Sequence, residues 1–521
     1  MIPVIDVFAG PGGLGEGFSS VISENGAKRF DIKLSIEKHR SAHQTLRLRS
    51  FFREFNLLEV PDDYYEFLRG RITLEELYDK HPREAEIANA KSWLAELGNE
   101  KLPQRIVRQR IRTALNGNDN WVLIGGPPCQ AYSLAGRSRN SGNENYDPKT
   151  DVKQRLYVEY LQIIADHWPA VFIMENVKGL LSATLENQRI FHRMIEDLQE
   201  PASAIRRESR TTCHTGRRHR YGIYSLINAN ALVNGDLRDS VIRAENYGIP
   251  QARHRVILLG IRDDLGRVTT EALPMQTQVS ASSVLSDLPA VRSGLSRTTD
   301  SIHAWIGNLR DALNKRWFAG IRRAAGEDVQ DYVRTVLHEL TPPEYDRGSE
   351  FLSVESSPDY AKVWFIDPML DGVCNHSTRG HMHSDLHRYL YAACFAKVRH
   401  RTPILKDFPP DLLPDHNNVP LALDSGNFAD RFRVQVENRP ATTVTSHISK
   451  DGHYYIHPDP MQCRSLTVRE AARLQTFPDN YLFVGPRTSQ YVQVGNAVPP
   501  LLAKQIAEIV YDILNEAGMV D

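Results

Sequence analysis

Short apolar runs alternate with amphipathic stretches through the first third of the chain, and that alternation restricts the fold more than any other feature. Residues 2–8 read as a strand, and residues 14–23 as a helix following a glycine-rich turn. Residues 32–36 read as a second strand ending at Glu37, and 122–124 and 170–174 as two more. Between these last two, Leu156, Tyr160, Ile163 and Ile164 recur at i, i+4, i+7 and i+8, the stripe of a helix packed along one face. Strands separated by helices need crossover connections. The pattern therefore predicts an α/β fold, a doubly wound parallel sheet with helices on both faces.

Residues 50–118 interrupt the rhythm with charged, helix-prone sequence such as Leu74-Glu-Glu-Leu, and read as an inserted helical excursion. Residues 221–228 and 255–261 return to strand-like composition. From 273 to about 435 the alternation is lost among polar stretches and scattered prolines, which predicts a smaller, irregular second domain. Residues 467–476 and 500–514 are helical again, and Leu502, Ile506, Ile509, Val510 and Ile513 share a face fit to dock on a sheet. The expected organisation is one α/β domain over 1–272, the second domain over 273–435, and a return to the first over 436–521.

Bulk properties narrow the functional classes. The 63 Lys and Arg against 64 Asp and Glu give a net charge of -1, so a polyanion partner would have to be met by a local patch. The five cysteines (129, 213, 374, 394 and 463) are odd in number and widely spread, unlike a disulfide framework, which fits a reducing cytoplasm. Residues 1–8 lack a basic leader and cleavage site, and no apolar run reaches the ~20 residues a membrane span needs. A cytoplasmic protein without membrane association is expected.

Two loops carry chemistry. Gly125-Gly-Pro-Pro-Cys-Gln-Ala-Tyr-Ser133 follows the apolar run 121–124, so Cys129 sits on a loop stiffened by two prolines at the end of a predicted strand. Carboxyl ends of such strands hold ligands in open α/β sheets, and a thiol there is a candidate nucleophile, whereas an inert packed cysteine needs no such scaffold. The other loop, Asp6-Val-Phe-Ala-Gly10-Pro-Gly12-Gly13-Leu14-Gly15, contains G-x-G-x-x-G, with an acid, Glu37, 22 positions after Gly15. Taken alone this admits a nucleotide cofactor, including that of an NAD-dependent dehydrogenase, or merely a tight strand-to-helix turn. Phe8-Ala9-Gly10-Pro-Gly12-Gly13 lacks the small apolar run that seats a pyrophosphate, and so suits a phosphate-free cofactor carrying an adenosine and an amino acid. Cys374, His376, His381, His383, His387 and Cys394 match no common zinc spacing, so no metal is assigned.

Further segments fall into order with these loops: Glu175-Asn-Val177, Gln251-Ala-Arg253-His-Arg255, Arg464 to Gln475, and Gln493-Val-Gly-Asn496-Ala497-Val-Pro499. Together they resemble the C5-cytosine DNA methyltransferase family across roughly residues 1–50, 119–262 and 440–515. The resemblance implies a Rossmann-like methyltransferase sheet, S-adenosylmethionine as cofactor, and double-stranded DNA as substrate. It also implies a flipped cytosine attacked at C6 by Cys129, with Glu175 and Arg255 at the ring and Arg253 holding the site. Asp6, Phe8, Ala9, Gly10, Gly12, Gly13, Leu14, Glu37, Pro127, Asn496 and Ala497 would surround the cofactor, with Glu37 on the ribose. Gln130, Ser133, Gln251, Thr443 and Val444 would meet the DNA. The family's acid and small apolar residue for the adenine are displaced by the 50–118 excursion, Leu97-Gly98 being the stand-in.

Residues 273–435 correspond to the segment that reads the target sequence in the family, with Asn375, His376 and Arg379 building it or pointing it at DNA. The arginines at 206, 207, 210, 217, 218 and 220 are candidate phosphate contacts, or a solvated loop. A bacterial restriction-modification or phage-defence setting is implied, with a cognate nuclease as partner and a monomer acting on DNA. The competing readings are an RNA cytosine-5 methyltransferase and a catalytically silent DNA-binding protein.

Overall fold

A computed structural model describes residues 1–56, 59–128, 152–177, 185–209, 219–232, 237–266, 268–415, 418–426 and 429–520. In chain order the strands that build the site are β1 (Ile2–Val7), β2 (Phe30–Glu37), β3 (Ser92–Leu94), β4 (Val122–Gly125), β5 (Val171–Val177), β6 (Tyr221–Ser225), β7 (Val241–Arg243), β8 (Gln251–Ala252) and β9 (His254–Arg262). They form a sheet of order β3-β2-β1-β4-β5-β9-β6, with β7 pairing the other half of β9's free edge and β8 outside it. The first five are parallel, and β9 runs antiparallel to β5.

Both faces of this sheet are covered, and the period of two in each strand divides the core. In β1, Ile2 and Val4 join an apolar cluster on one face with Leu14, Phe18 and the helix Pro500–Glu516. Ile5 and Val7 join a cluster on the other face with the helices Gln104–Leu115 and Val152–His167. The two ends of the chain meet on the first face, which requires close backbone approach. A Cβ on Gly13 would lie 2.2 Å from the Val498 carbonyl oxygen.

The excursion expected over 50–118 is shorter than its composition implied. Helices Asp62–Leu68, Leu74–Lys80 and Pro82–Lys91 pack with Phe51 and Phe52 into a separate apolar cluster. From Ser92 the chain is back in the sheet, as β3, and Val107, Ile111 and Leu115 of the next helix cover it. A three-residue edge strand is too short to show a period, which is why the charged sequence around it hid it.

Beyond 273 the alternation ends, yet the segment holds regular structure: helices Ile302–Arg310, Arg316–Ala325, Glu327–Glu339 and His383–Arg399 share one core. Its boundaries are stitched to the return segment, since Ala281, Val284 and Leu285 pack with Val444, Leu466 and Val468. Among the described residues no helix is long and apolar enough to cross a membrane.

Candidate active site

The sheet order reverses direction between β1, which neighbours β2, and β4, which continues toward β5. Such a switch point leaves a crevice at the carboxyl ends of the two strands, because their following helices depart to opposite faces. β1 ends at Val7 and β4 at Gly125, and these two residues are register partners. The glycine turn and the Gly-Pro-Pro loop therefore leave the sheet side by side.

On the β1 side, Phe8, Gly10 and Gly12 all take left-handed backbone conformations, with φ of 56°, 58° and 96°. For a phenylalanine this is a strained conformation that the surroundings must hold. Phe8, Ala9 and Gly10 are half-buried, while Gly12, Gly13 and Leu14 are buried behind them. No atom lies within 4 Å of a Cβ placed on Gly10, so the turn faces open space there. Glu37, ending β2, accepts the Gly10 N–H at 2.8 Å on one oxygen and the His39 N–H at 2.6 Å on the other. Each oxygen keeps a lone pair for a hydroxyl donor.

Asp6 is fully buried one residue before the strand's end, and neither oxygen has a partner of hydrogen-bond geometry among the described residues. Burial pushes its carboxyl up to about 8; the Glu37 charge adds to the shift, and Arg53 opposes it. Behind the turn, Glu16 behaves in the opposite way. Burial alone would raise it, but Arg49 at 2.5 Å and Arg53 at 2.7 Å hold it down to about 2.

On the β4 side, Pro127 is buried and its carbonyl accepts from Asn176 Nδ2 at 3.4 Å. Cys129, Gln130 and Ser133 lie outside the described residues, which stop at Pro128 on this loop. Glu175, near the end of β5, reaches under the loop: a Cβ on Gly126 would come within 2.8 Å of its Oε2. Arg255 Nε stands 2.8 Å from Glu175 Oε1, both side chains being largely buried. Antiparallel pairing of β5 with β9 sets Val177 opposite Arg255 and brings the two charges together. Burial pulls the Arg255 guanidinium below its ordinary range, and Glu175 partly restores it.

Arg253, two residues earlier, is buried and close enough to that pair to feel both charges. Its Nη1 donates to the Val444 carbonyl at 2.7 Å and the Gly495 carbonyl at 3.3 Å. It anchors the returning chain, which leaves Asn496 exposed and Ala497 buried. Gln251, expected at the DNA, lies inside the protein. It is fully buried, donates to the Leu474 carbonyl at 2.8 Å and Gln475 Oε1 at 2.6 Å, and accepts the Val444 N–H at 2.8 Å. Val444 is likewise fully buried, so in this arrangement neither residue presents a surface to a duplex. Thr443 is half-buried and donates to the Ala252 carbonyl at 2.5 Å.

The histidines of 376–387 diverge. His376 bonds Thr467 and the Pro289 carbonyl, His381 bonds Ser465, and His387 bonds the Asn308 carbonyl. Asn375 bridges to Phe483, and Arg379 donates to the Ile448 carbonyl at 2.7 Å, so both build the segment. Of the arginine stretch, 210, 217 and 218 lie outside the described residues; Arg207 pairs with Asp197 and Arg220 with Glu200.

One acid close to Glu37 was not among the residues that the sequence singled out. Glu96, two residues past β3, pairs with Lys38 at 3.2 Å, and the Ala95 N–H donates to the Glu37 carbonyl. It stands on the rim beside Glu37, while Leu97 is buried against the sheet. The available signal was an acid closing a short apolar run, and treating 50–118 as one insertion concealed it.

The sequence profile of C-5 cytosine-specific DNA methylase matches residues 99–201 and 236–511. The chain belongs to that family. This methylase is 30% identical over 534 residues to the type II methyltransferase M.Bpa9945I of Bacillus paralicheniformis, covering 98% of this chain and 99% of that protein. It is 26% identical over 424 residues to the DNA (cytosine-5-)-methyltransferase M.ApeKI of Aeropyrum pernix, covering 77% of this chain and 83% of that one. Among solved structures, an Escherichia coli prophage protein described as a putative DNA modification methyltransferase shares the fold. Its TM-score is 0.52 at 16% identity, covering 99% of this methylase and all (100%) of that chain. The profile match begins after the glycine turn, so the assignment of that turn rests on its place at the switch point.

Proposed function

We propose that this methylase transfers a methyl group from S-adenosylmethionine to C5 of a cytosine flipped out of a specific duplex DNA sequence. The observation that carries the reading is the Glu175–Arg255 pair, held under Gly126 at the crevice that the glycine turn also borders. The residues suit the cofactor on two counts: the open space over Gly10, and the Glu37 carboxylate at its edge, whose oxygens keep lone pairs for hydroxyl donors. Phe8, Ala9 and Gly10 line its site, Glu37 takes the ribose hydroxyls, and Glu96 stands where the adenine edge is read. When bound, it supplies an electrophilic methyl.

The chain's own groups do the rest. The Cys129 thiolate forms a bond to C6 of the cytosine, which makes C5 an enamine carbon able to accept the methyl. Loss of the C5 proton to water then re-forms the C5–C6 double bond and expels the sulfur as the Cys129 thiolate. Charge that accumulates on the ring is met at O2 by the Arg255 guanidinium and at N3 by Glu175, which donates there as the protonated acid; both side chains are fixed before the reaction begins. Extraction of the base costs roughly a few kcal/mol of pairing and stacking, offset by these contacts. Arg253 acts by holding Val444 and Gly495, and Thr443 by its bond to Ala252. Residues 273–435 read the sequence, and a cognate nuclease sharing the same target is the expected partner, with one copy of the methylase acting per site.

Incubation with tritiated-methyl cofactor tests the substrate class. Label is expected in duplex DNA and not in transfer RNA; label confined to RNA contradicts the reading. Bisulfite sequencing of DNA from cells expressing the protein then gives the site.

A further inference from the structure

No step of that chemistry uses the helices of 62–91, but their contacts converge on one segment. Tyr65 Oη donates to Asp367 Oδ2 at 2.9 Å, and Asn480 Nδ2 donates to the same oxygen at 2.7 Å. The other Asp367 oxygen accepts the Met369 N–H at 3.0 Å. Arg69 Nη2 donates to the carbonyls of Met369 at 2.6 Å and Leu370 at 3.3 Å. Leu370 and Cys374 are fully buried in the apolar cluster of Phe51, Tyr64 and Tyr65. The segment 367–374 is thus gripped by its carboxylate, its backbone and its apolar side chains.

The grip matters because of the strand that this segment feeds. Strand Val373–Ser377 pairs with Gly348–Leu352 and leads into Gly380–His381, which pairs with Gly294–Leu295. Just past both ends of this pairing, Arg297, Thr298, Met382 and His383 are exposed, Thr298 Oγ1 lying 3.2 Å from His383 Nε2. Arg297 holds a left-handed φ of 67°. Guanidinium, hydroxyl and imidazole together suit base edges and phosphates. The same tip adjoins the active site. Arg379 bonds the Ile448 carbonyl, and the turn Ser446–Ser449 abuts Gly495, to which Arg253 donates. The connector Thr378–Arg379 is itself tied down, Thr378 bonding the Arg347 and Arg292 carbonyls and the Arg379 carbonyl accepting the Gly294 N–H, so the position of the first strand is passed to the second.

We propose that the helices of 62–91 are a brace, with Tyr65 and Arg69 as positioning residues. They set where the Arg297–His383 surface stands relative to the cytosine pocket, and so how sharply the methylase discriminates its target. The proposal rests on the reading of 273–435 as the sequence-reading segment.

The test compares wild type with the double variant Tyr65→Phe, Arg69→Ala, which keeps the ring packing and removes the donors. Substrates are a duplex carrying the site found by bisulfite sequencing and one changed at a single base pair. KM for the cognate duplex is expected to rise about fivefold and the preference over the changed duplex to fall by a similar factor. The kcat at saturating DNA and the S-adenosylmethionine Kd stay within about twofold. An unchanged KM and preference, or a fall in kcat at constant KM, overturns the brace. Hydrogen exchange at 373–377 separates the two readings. It quickens in the double variant if the brace holds, and unchanged exchange overturns the brace whatever the substrate. Quickened exchange in a protein that does not methylate duplex DNA overturns only the assignment of the reader.

Discussion

At the scale of single residues, the two members of the Glu175–Arg255 pair were visible in sequence while their supports were not. Glu175 and Arg255 each close or open a strand with an unmistakable motif, and the structure sets them 2.8 Å apart. Gln251 sits in the same motif as Arg255, yet it is wholly buried, because a pattern of residue types does not reveal which side of a two-residue strand faces the core. Asp6 makes the sharpest prediction here. Burial raises its folded-state carboxyl to about 8, Arg53 opposing, Glu37 adding to the rise and the Gly15 backbone opposing it more weakly. The folded protein therefore keeps a proton that the unfolded chain releases near the ordinary value of 3.8, and stability falls as pH rises between those values. Asp6→Asn removes this penalty. Its gain in unfolding free energy is expected to be greater at pH 8 than at pH 5 by more than ~1 kcal/mol, read by urea denaturation without cofactor. Equal gains at both pH values contradict the burial of an unpartnered carboxyl.

At the scale of elements, the strands with full alternation were legible and the short ones were not. β1, β2, β4 and β5 carry enough apolar residues to declare themselves, whereas β3 has only Ser92, Trp93 and Leu94 within a charged stretch. Because β3 was missed, Glu96, which closes that short run and pairs with Lys38, was not singled out beside Leu97-Gly98. The docking of helix Pro500–Glu516 was readable from its apolar face, but not its dependence on Gly13. A methyl there meets the Val498 backbone carbonyl at 2.2 Å, and backbone yields less readily than a side chain. Gly13→Ala is expected to cost about 1–3 kcal/mol of stability and to weaken cofactor binding together with it. A urea midpoint equal to wild type shows that the two ends of the chain are not in such close contact.

At the scale of the whole molecule, function follows from where the sheet reverses. One crevice receives the glycine turn from β1 and the Gly-Pro-Pro loop from β4, β5 delivers Glu175, and β9 delivers Arg255 from the far side. The order of motifs in the sequence pointed to this convergence before any geometry. What it could not show is how residues 273–435 are attached, since the packing of Ala281 and Leu285 on Val444 and Leu466 joins positions about 160 to 180 apart through tertiary contact alone. With a net charge of -1 spread over 521 residues, affinity for DNA has to come from a local surface, and the proposed brace over 62–91 would fix where the Arg297–His383 part of it stands. The central claim is a transient bond between the Cys129 sulfur and C6 of the target base. A duplex with 5-fluorocytosine at the target position tests it most directly, because fluorine at C5 blocks the elimination that would release the enzyme. With S-adenosylmethionine present, the wild type is predicted to form a complex that survives denaturing electrophoresis, and Cys129→Ala to form none. A complex that persists in Cys129→Ala, or one that never forms in an enzyme methylating the unmodified duplex, contradicts the account.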